Sequence, residues 1–394
     1  ATVSVYVGAG SRYERDEEAG LSHFLEHMLF KGASRRPTAK EVAEAIEGIG
    51  GMHNAATDRE VTVYYAKVPD SAAYETIDIL ADMVRDPVMD AAELEKERYV
   101  ILEELAGVED NPAEMAGILI DETIWPNQPL GRNVGGTPES AKALPLSAVN
   151  RYLKAQYVPS NMVVVVAGNV HTAEVVDCVG RWLGDMPAAS PGGWFPFEGH
   201  ASGRVAIKEK ATEQAHICIA YPGFALDHPD RYAVDLLSAV LGEGMSSRLF
   251  LELREERALV YDVHTYPAEY RDAGCFTVYA GCDPENSRTT AEVTLNEVAK
   301  LLESLPAAEL AKGKQMARGR IQLRMEDTRS VAGWMGSQEL LLGEILTVDE
   351  VVARIEAVTL DDVLRVGREL LRPELATIAA VGPFEDDQVF GGLL

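Results

Sequence analysis

The chain repeats itself once, and that repetition limits the folds open to it more than any other feature. Val3 to Gly10 matches Ile217 to Phe224, Ala91-Ala-Glu-Leu matches Ala307-Ala-Glu-Leu, and Leu146-Ser-Ala-Val matches Leu360-Asp-Asp-Val ahead of a closing apolar strand in each half. The offsets are 214, 216 and 214, so order and spacing are both kept. Thr2 to Val7 reads as a strand, and so does the valine-rich run from Met162 to Ala167, bounded by Asn161 and Gly168. Between the halves, Pro187 to Gly203 is rich in Pro, Gly and Ser with Trp194, Phe195 and Phe197 interspersed, as suits a linker that packs on a surface. These features predict an α+β chain of two homologous domains, 1–186 and 204–394, joined by 187–203, each an antiparallel-dominated sheet with helices packed on it. At 394 residues and 47% hydrophobic the chain can bury two ordinary cores.

The chemistry concentrates in His23-Phe-Leu-Glu-His27. Side chains three and four apart share a helical face, so His23 and His27 can turn ring nitrogens to one Zn²⁺ while Glu26 lies beside an open coordination position. The pattern predicts a helix with Asp16 as N-cap, Glu17 and Glu18 in its first turn, Lys31 near its end and Gly32 just past it. Leu21, Phe24, Leu25, Met28 and Leu29 form the apolar stripe that seats this helix on a sheet. Catalytic zinc takes three protein ligands and a water, so a carboxylate must come from elsewhere. Asp90 to Gly107 predicts a helix capped by Asp90 and Glu93, carrying Glu93, Glu95, Glu97, Glu103 and Glu104. Seven residues is nearly two turns, so Glu97 and Glu104 share a face: Glu104 is placed to ligate and Glu97 to support it. Without the upstream motif these acids read as a solvated face.

On these segments, together with Met28-Leu-Phe-Lys-Gly32 and Gly50-Gly-Met-His-Asn-Ala55 with Thr57 and Glu60, the chain resembles the pitrilysin/insulinase family of inverzincin metallopeptidases. The likeness is to its shorter bacterial members, similar to the catalytic subunit of mitochondrial processing peptidase, and it runs nearly end to end. In that family the third ligand is a glutamate with 76 residues between it and the second histidine, which selects Glu104 over Glu103. The resemblance implies a zinc metalloendopeptidase with one Zn²⁺ per chain, held by His23, His27 and Glu104, with Glu97 behind them and Glu26 as base. In the second half, Gly244 to Phe250 is followed by Arg254 and Tyr261, which in the family hold substrate near the scissile bond. Ala258 stands where relatives commonly have glycine. Met52 to Val68, with Val61, Val63 and Tyr65 alternating, reads as a strand whose edge near Asn54 and Ala55 pairs with an extended peptide.

The repeat also says which half does chemistry. His23, Glu26 and His27 correspond to Leu237, Val240 and Leu241, and Arg320 stands opposite Glu104. The scaffold therefore does not need the histidines for packing. The second domain is expected to be inactive and to contribute to substrate binding.

A net charge of −27 argues against nucleic acid and acidic membranes as partners, and no apolar run is long enough to cross a bilayer. Cys178, Cys218, Cys275 and Cys282 lack C-x-x-C spacing and read as core residues. The sequence opens inside a strand, so any targeting segment would precede it; the expected compartment is the cytoplasm, with periplasm and organelle left open. Peptides are the expected substrates and a homodimer the expected assembly. The catalytic half of a heterodimer and a non-catalytic scaffold subunit are the other readings.

Overall fold

The computed structural model describes residues 1–394, which form two compact units. Unit 1 comprises Ala1–Ala106, Arg132–Phe195 and Arg324–Ile345; unit 2 comprises Gly107–Gly131, Pro196–Leu323 and Leu346–Leu394. The expected division into 1–186, 187–203 and 204–394 therefore differs from the compact units in two segments. One stretch of the first half is counted with unit 2, and one stretch of the second half with unit 1.

Unit 1 is built on β1 (Thr2–Val7), β2 (Met52–Thr57), β3 (Thr62–Lys67) and β4 (Met162–Ala167), in the order β2-β3-β1-β4 with every pairing antiparallel. Its helices are α1 (Leu21–Leu29), α2 (Ala39–Glu47), α3 (Ala73–Arg85) and most of α4 (Ala91–Asp110), which runs on into unit 2. Unit 2 next takes α5 (Pro112–Ile124), and unit 1 resumes with α6 (Pro138–Ala143), α7 (Leu146–Gln156) and α8 (Thr172–Leu183). The sheet of unit 2 holds β5 (Val205–Glu209), β6 (Ala215–Gly223), β7 (Val260–Glu269), β8 (Gly274–Cys282) and β9 (Thr377–Gly382) in the order β5-β9-β6-β8-β7. Only β5 and β9 run parallel. With β6, β7, β8 and β9 standing for β1, β2, β3 and β4, the second sheet keeps the order of the first and adds β5. Its helices are α9 (Arg231–Leu241), α10 (Ser287–Glu303) and α11 (Ala307–Arg324), then α13 (Val348–Ala357) and α14 (Leu360–Leu370); α12 (Thr328–Leu342) belongs to unit 1.

The exchanged segments have a physical reason. β1 is buried along its whole length, so both faces of the sheet need a cover. Val3, Val5 and Val7 point into the main core with Phe24, Leu25 and Met28 of α1. Tyr6 points to the other face, where it meets Val165, Ala167 and Ala332 of α12. In unit 2, α5 plays the same part, packing Met115, Ile120 and Ile124 against Cys218 and Ala220 of β6 and Ala379 and Val381 of β9. Each fully buried aliphatic side chain contributes about 1.5–3 kcal/mol, so neither sheet face can be left to water.

One expectation needs correcting. Met52 to Val68 is not one strand but a hairpin, closed by a turn in which Asp58 N–H donates to Val61 O at 2.9 Å. The alternation of Val61, Val63 and Tyr65 belongs to its second arm, with Val61 and Val63 on the α12 side while Thr62, Tyr64 and Ala66 are buried opposite. In the 187–203 stretch, the part up to Phe195 is fastened to unit 1 by the fully buried Arg12, whose guanidinium lies 4.5 Å over the Trp194 ring. Phe197 is fastened in unit 2, its N–H donating to Asp272 Oδ2 at 2.8 Å. The four cysteines are buried and form no disulfide. No helix is long and apolar enough to cross a membrane.

α12 and β1 approach each other closely at Gly336. A Cβ added at Gly336 would lie 2.3 Å from Tyr6 Cε2 and 2.4 Å from Cδ2. Gly336→Ala should therefore destabilise by about 1–3 kcal/mol, although alanine is the better helix former by about 1 kcal/mol. Thermal unfolding checks this: a lowered midpoint is expected, and a raised one would mean that α12 does not rest on Tyr6.

Candidate metal centre

The site is assembled on α1 and α4. α1 starts at Leu21, later than the sequence suggested, because Asp16–Glu18 forms a separate 3-10 turn. Asp16 does not cap the helix; its carboxylate is 93% exposed and pairs with Arg132. The cap is Glu14, which is fully buried and accepts the N–H groups of Gly20 at 2.8 Å and Ser22 at 2.6 Å. Those donors and the helix N-terminus favour its charged form, while burial pushes its pKa up. Gly20 has φ +88, and a Cβ there would lie 2.5 Å from Gly135 O, so the entry to α1 admits only glycine. Glu14 escaped the sequence reading because its carboxylate acts across a loop rather than at the N-cap position. The acid ahead of a glycine that opens an apolar helix was the available signal.

Leu21, Phe24, Leu25, Met28 and Leu29 are all 0% exposed, which fixes α1 and turns His23 and His27 outward to α4. α4 begins where expected, with Asp90 Oδ1 accepting the N–H of Ala92 at 2.7 Å and Glu93 at 3.0 Å. Glu93 does not close the capping box but pairs with Lys96. The helix continues to Asp110, three residues beyond Gly107.

Three donor atoms converge. His23 Nε2 and His27 Nε2 are 3.2 Å apart, and each is 3.6 Å from Glu104 Oε2. A tetrahedral centre with bonds of about 2.0–2.1 Å separates its ligand atoms by about 3.3–3.4 Å, so the triangle has the dimensions of a zinc site. Glu103 is not part of the group. His27 Nδ1 lies 3.0 Å from Glu97 Oε2, and Lys31 Nζ 2.5 Å from Glu97 Oε1. A carboxylate at Nδ1 makes that nitrogen the protonated one and leaves the Nε2 lone pair facing the other donors. His23 Nδ1 is buried with no hydrogen-bond partner, and burial together with the neighbouring His27 lowers the His23 pKa to about 4. A neutral imidazole is the form that binds metal. The donor set and its spacing fit Zn²⁺.

Glu26 lies on the same helix, and Thr57 Oγ1 donates to its Oε2. Burial raises the Glu26 pKa, and the Thr57 hydrogen bond opposes that rise. β2 is the edge of its sheet, with Asn54 exposed and Ala55 half-buried. Arg254 and Tyr261 belong to unit 2. Arg254 lies on a π-helical turn (Phe250–Glu256), its guanidinium 5.0 Å over the Phe250 ring rather than on Glu255 or Glu256. Tyr261 is the second residue of β7 and is 60% exposed. Ala258 between them has φ +51, the left-handed region that glycine adopts without strain. In the copied half, Leu237, Val240 and Leu241 are buried in the core and Arg320 pairs with Glu243, so no donor cluster exists there.

Comparison with known proteins agrees with this division. Residues 1–138 match the model of the insulinase family, peptidase family M16, and residues 143–317 match the peptidase M16 inactive domain. The chain is 38% identical over 400 residues to an uncharacterized zinc protease of Streptomyces coelicolor, covering 98% of this chain and 86% of that one. It is 36% identical over 383 residues to an uncharacterized zinc protease of Bacillus subtilis, covering 97% and 92%. Among solved structures, a protease from Helicobacter pylori superposes with a TM-score of 0.91 at 22% identity, covering 97% of this chain and 93% of that chain. With its donor-bearing first half and apolar copy, the chain belongs to the insulinase family of zinc proteases, as a short member of bacterial type.

Proposed function

We propose that the chain is a zinc-dependent endopeptidase cutting peptides and unfolded short polypeptides, with one Zn²⁺ held by His23, His27 and Glu104. The triangle of two Nε2 atoms and Glu104 Oε2, with Glu26 on the same helix as both histidines, carries this reading. The relatives named zinc proteases support it. The chemistry that bound zinc supplies is acidification of a water, whose pKa falls towards about 7. Glu26 accepts the proton of the attacking water as its oxygen bonds to the peptide carbonyl carbon. As the C–N bond breaks, Glu26 returns the proton to the departing nitrogen. Glu97 keeps the His27 ring oriented and is itself neutralised by Lys31. The open edge of β2 at Asn54 and Ala55 suits backbone pairing with an extended substrate, which reads main chain more than side chains. Arg254 and Tyr261 steady the substrate backbone or the developing oxyanion.

Glu26→Gln removes the base and leaves the three donors. It should lower peptide hydrolysis by at least about 10²–10⁴-fold while zinc content, measured by elemental analysis, stays at the wild-type level. Near-normal turnover in this variant would remove Glu26 from the mechanism.

On the same reading the working assembly is a homodimer: the resemblance to longer family members, whose four domains close into a chamber, implies that two copies of this two-domain unit would build one. Such a chamber admits unfolded peptides and excludes native globular proteins. Sedimentation at assay concentration should show a dimer, and a strictly monomeric, fully active enzyme would contradict it.

A further inference from the structure

Two residues of the segment that follows the zinc helix have no role in the reaction as set out above: Thr57 and Glu60. Thr57 closes β2 on the strand face shared with His53 and Ala55, the face turned to α1, and there its hydroxyl meets Glu26 Oε2. Its own position is held from several sides. It pairs across the hairpin with Thr62, which is 0% exposed and brings its Oγ1 to 3.4 Å from Thr57 Oγ1. The turn beyond Thr57 is held by Arg12, whose N–H donates to Arg59 O at 2.9 Å. The Arg12 guanidinium donates to Glu60 Oε1 at 2.6 Å and to Phe195 O at 2.9 Å. Arg12 is 0% and Glu60 4% exposed, so this ion pair has no water to exchange with. A β-branched residue with a restricted χ1 thus projects a hydroxyl from a fixed point. Glu26 is the opposite case, a carboxylate at the end of three torsions, the last of them broad.

We propose that Thr57 is a positioning residue for Glu26: by holding Oε2 it aims Oε1 at the water to be deprotonated, and the Arg12–Glu60 pair holds the hairpin that makes this possible. The proposal rests on Glu26 being the base. Without the hydroxyl, the carboxylate spreads over other orientations and only a fraction of the bound complexes is ready to transfer a proton. The loss then falls on the chemical step and not on substrate or metal binding.

The test uses the full-length, zinc-loaded enzyme with Thr57→Val, Thr57→Ser and Glu26→Gln, assayed on one fluorogenic peptide alongside zinc content and thermal midpoint. Thr57→Val is expected to lower kcat about 10–100-fold with KM within about twofold of wild type, the range seen when groups behind a reacting side chain are removed. Zinc content and midpoint should stay at the wild-type values, and Thr57→Ser, which returns the hydroxyl, should recover most of kcat. The proposal is overturned by wild-type kcat in Thr57→Val, by a kcat loss that tracks zinc loss or a lowered midpoint, or by Thr57→Ser behaving as Thr57→Val. If Glu26→Gln is inactive and Thr57→Val is not impaired, only the positioning role fails. If Glu26→Gln is itself active, the assignment of the base fails.

Discussion

Holding two imidazole nitrogens 3.2 Å apart beside a carboxylate, in a half-dry setting, is the constraint to which the rest of unit 1 answers. Left to itself such a cluster would spread: the rings would rotate, His23 would seek solvent, and Glu104, nearly half exposed on a helix surface, would follow its own rotamers. Three supports oppose this. The apolar stripe of α1 gives the helix no freedom to roll, Glu97 and Lys31 lock the His27 ring from behind, and Glu14 ties off the N-terminus of α1 from within the core. Apart from Phe24 and Leu25 of the stripe, these supports lie outside the pentapeptide that carries the two histidines. The motif is a few residues long, but the geometry it needs takes most of a domain.

The duplication makes the same point from the other side. α9 occupies in unit 2 the place of α1, with Leu237, Val240 and Leu241 buried where His23, Glu26 and His27 turn outward. The fold is thus stable with either set, and the polar set in unit 1 is a departure from the best packing that calls for a reason. Unit 2 answers the same covering problem on the back of its sheet, with α5 where unit 1 has α12. The segment carrying Arg254 and Tyr261 departs from regular structure in its own way, with a π-helical turn and a left-handed Ala258. Irregular backbone of this kind, at about 1–3 kcal/mol per strained residue, clusters where a side chain must be aimed rather than only packed.

Much of this was legible in the sequence where period and spacing alone decide. The strands Thr2–Val7 and Met162–Ala167 and the cap at Asp90 follow from local pattern, whereas the preference for Glu104 over Glu103 comes from the family resemblance, which sets its distance from His27. What could not be read depends on contacts between distant residues. Asp16 has the chemistry of a cap, yet Glu14 does the capping because the loop before Gly20 folds its carboxylate inward. Alternation from Met52 to Val68 hides the turn at Asp58 to Val61, since both arms keep the period. The exchange of α5 and α12 leaves no trace in either helix alone, because an apolar face does not say which sheet it covers. Thr57 stood in the matching segment without a stated part until its hydroxyl was seen against Glu26.

The central claim is that His23, His27 and Glu104 form one metal centre, and X-ray absorption at the zinc edge tests it most directly. Full-length protein loaded with one equivalent of Zn²⁺ should show two imidazole nitrogens and oxygen at about 2.0–2.1 Å with no sulfur. Glu104→Gln should weaken zinc binding and alter the oxygen shell, and Glu103→Gln should leave both unchanged. Sulfur at about 2.3 Å, a single imidazole, or an equal response of the two glutamate variants would contradict the account.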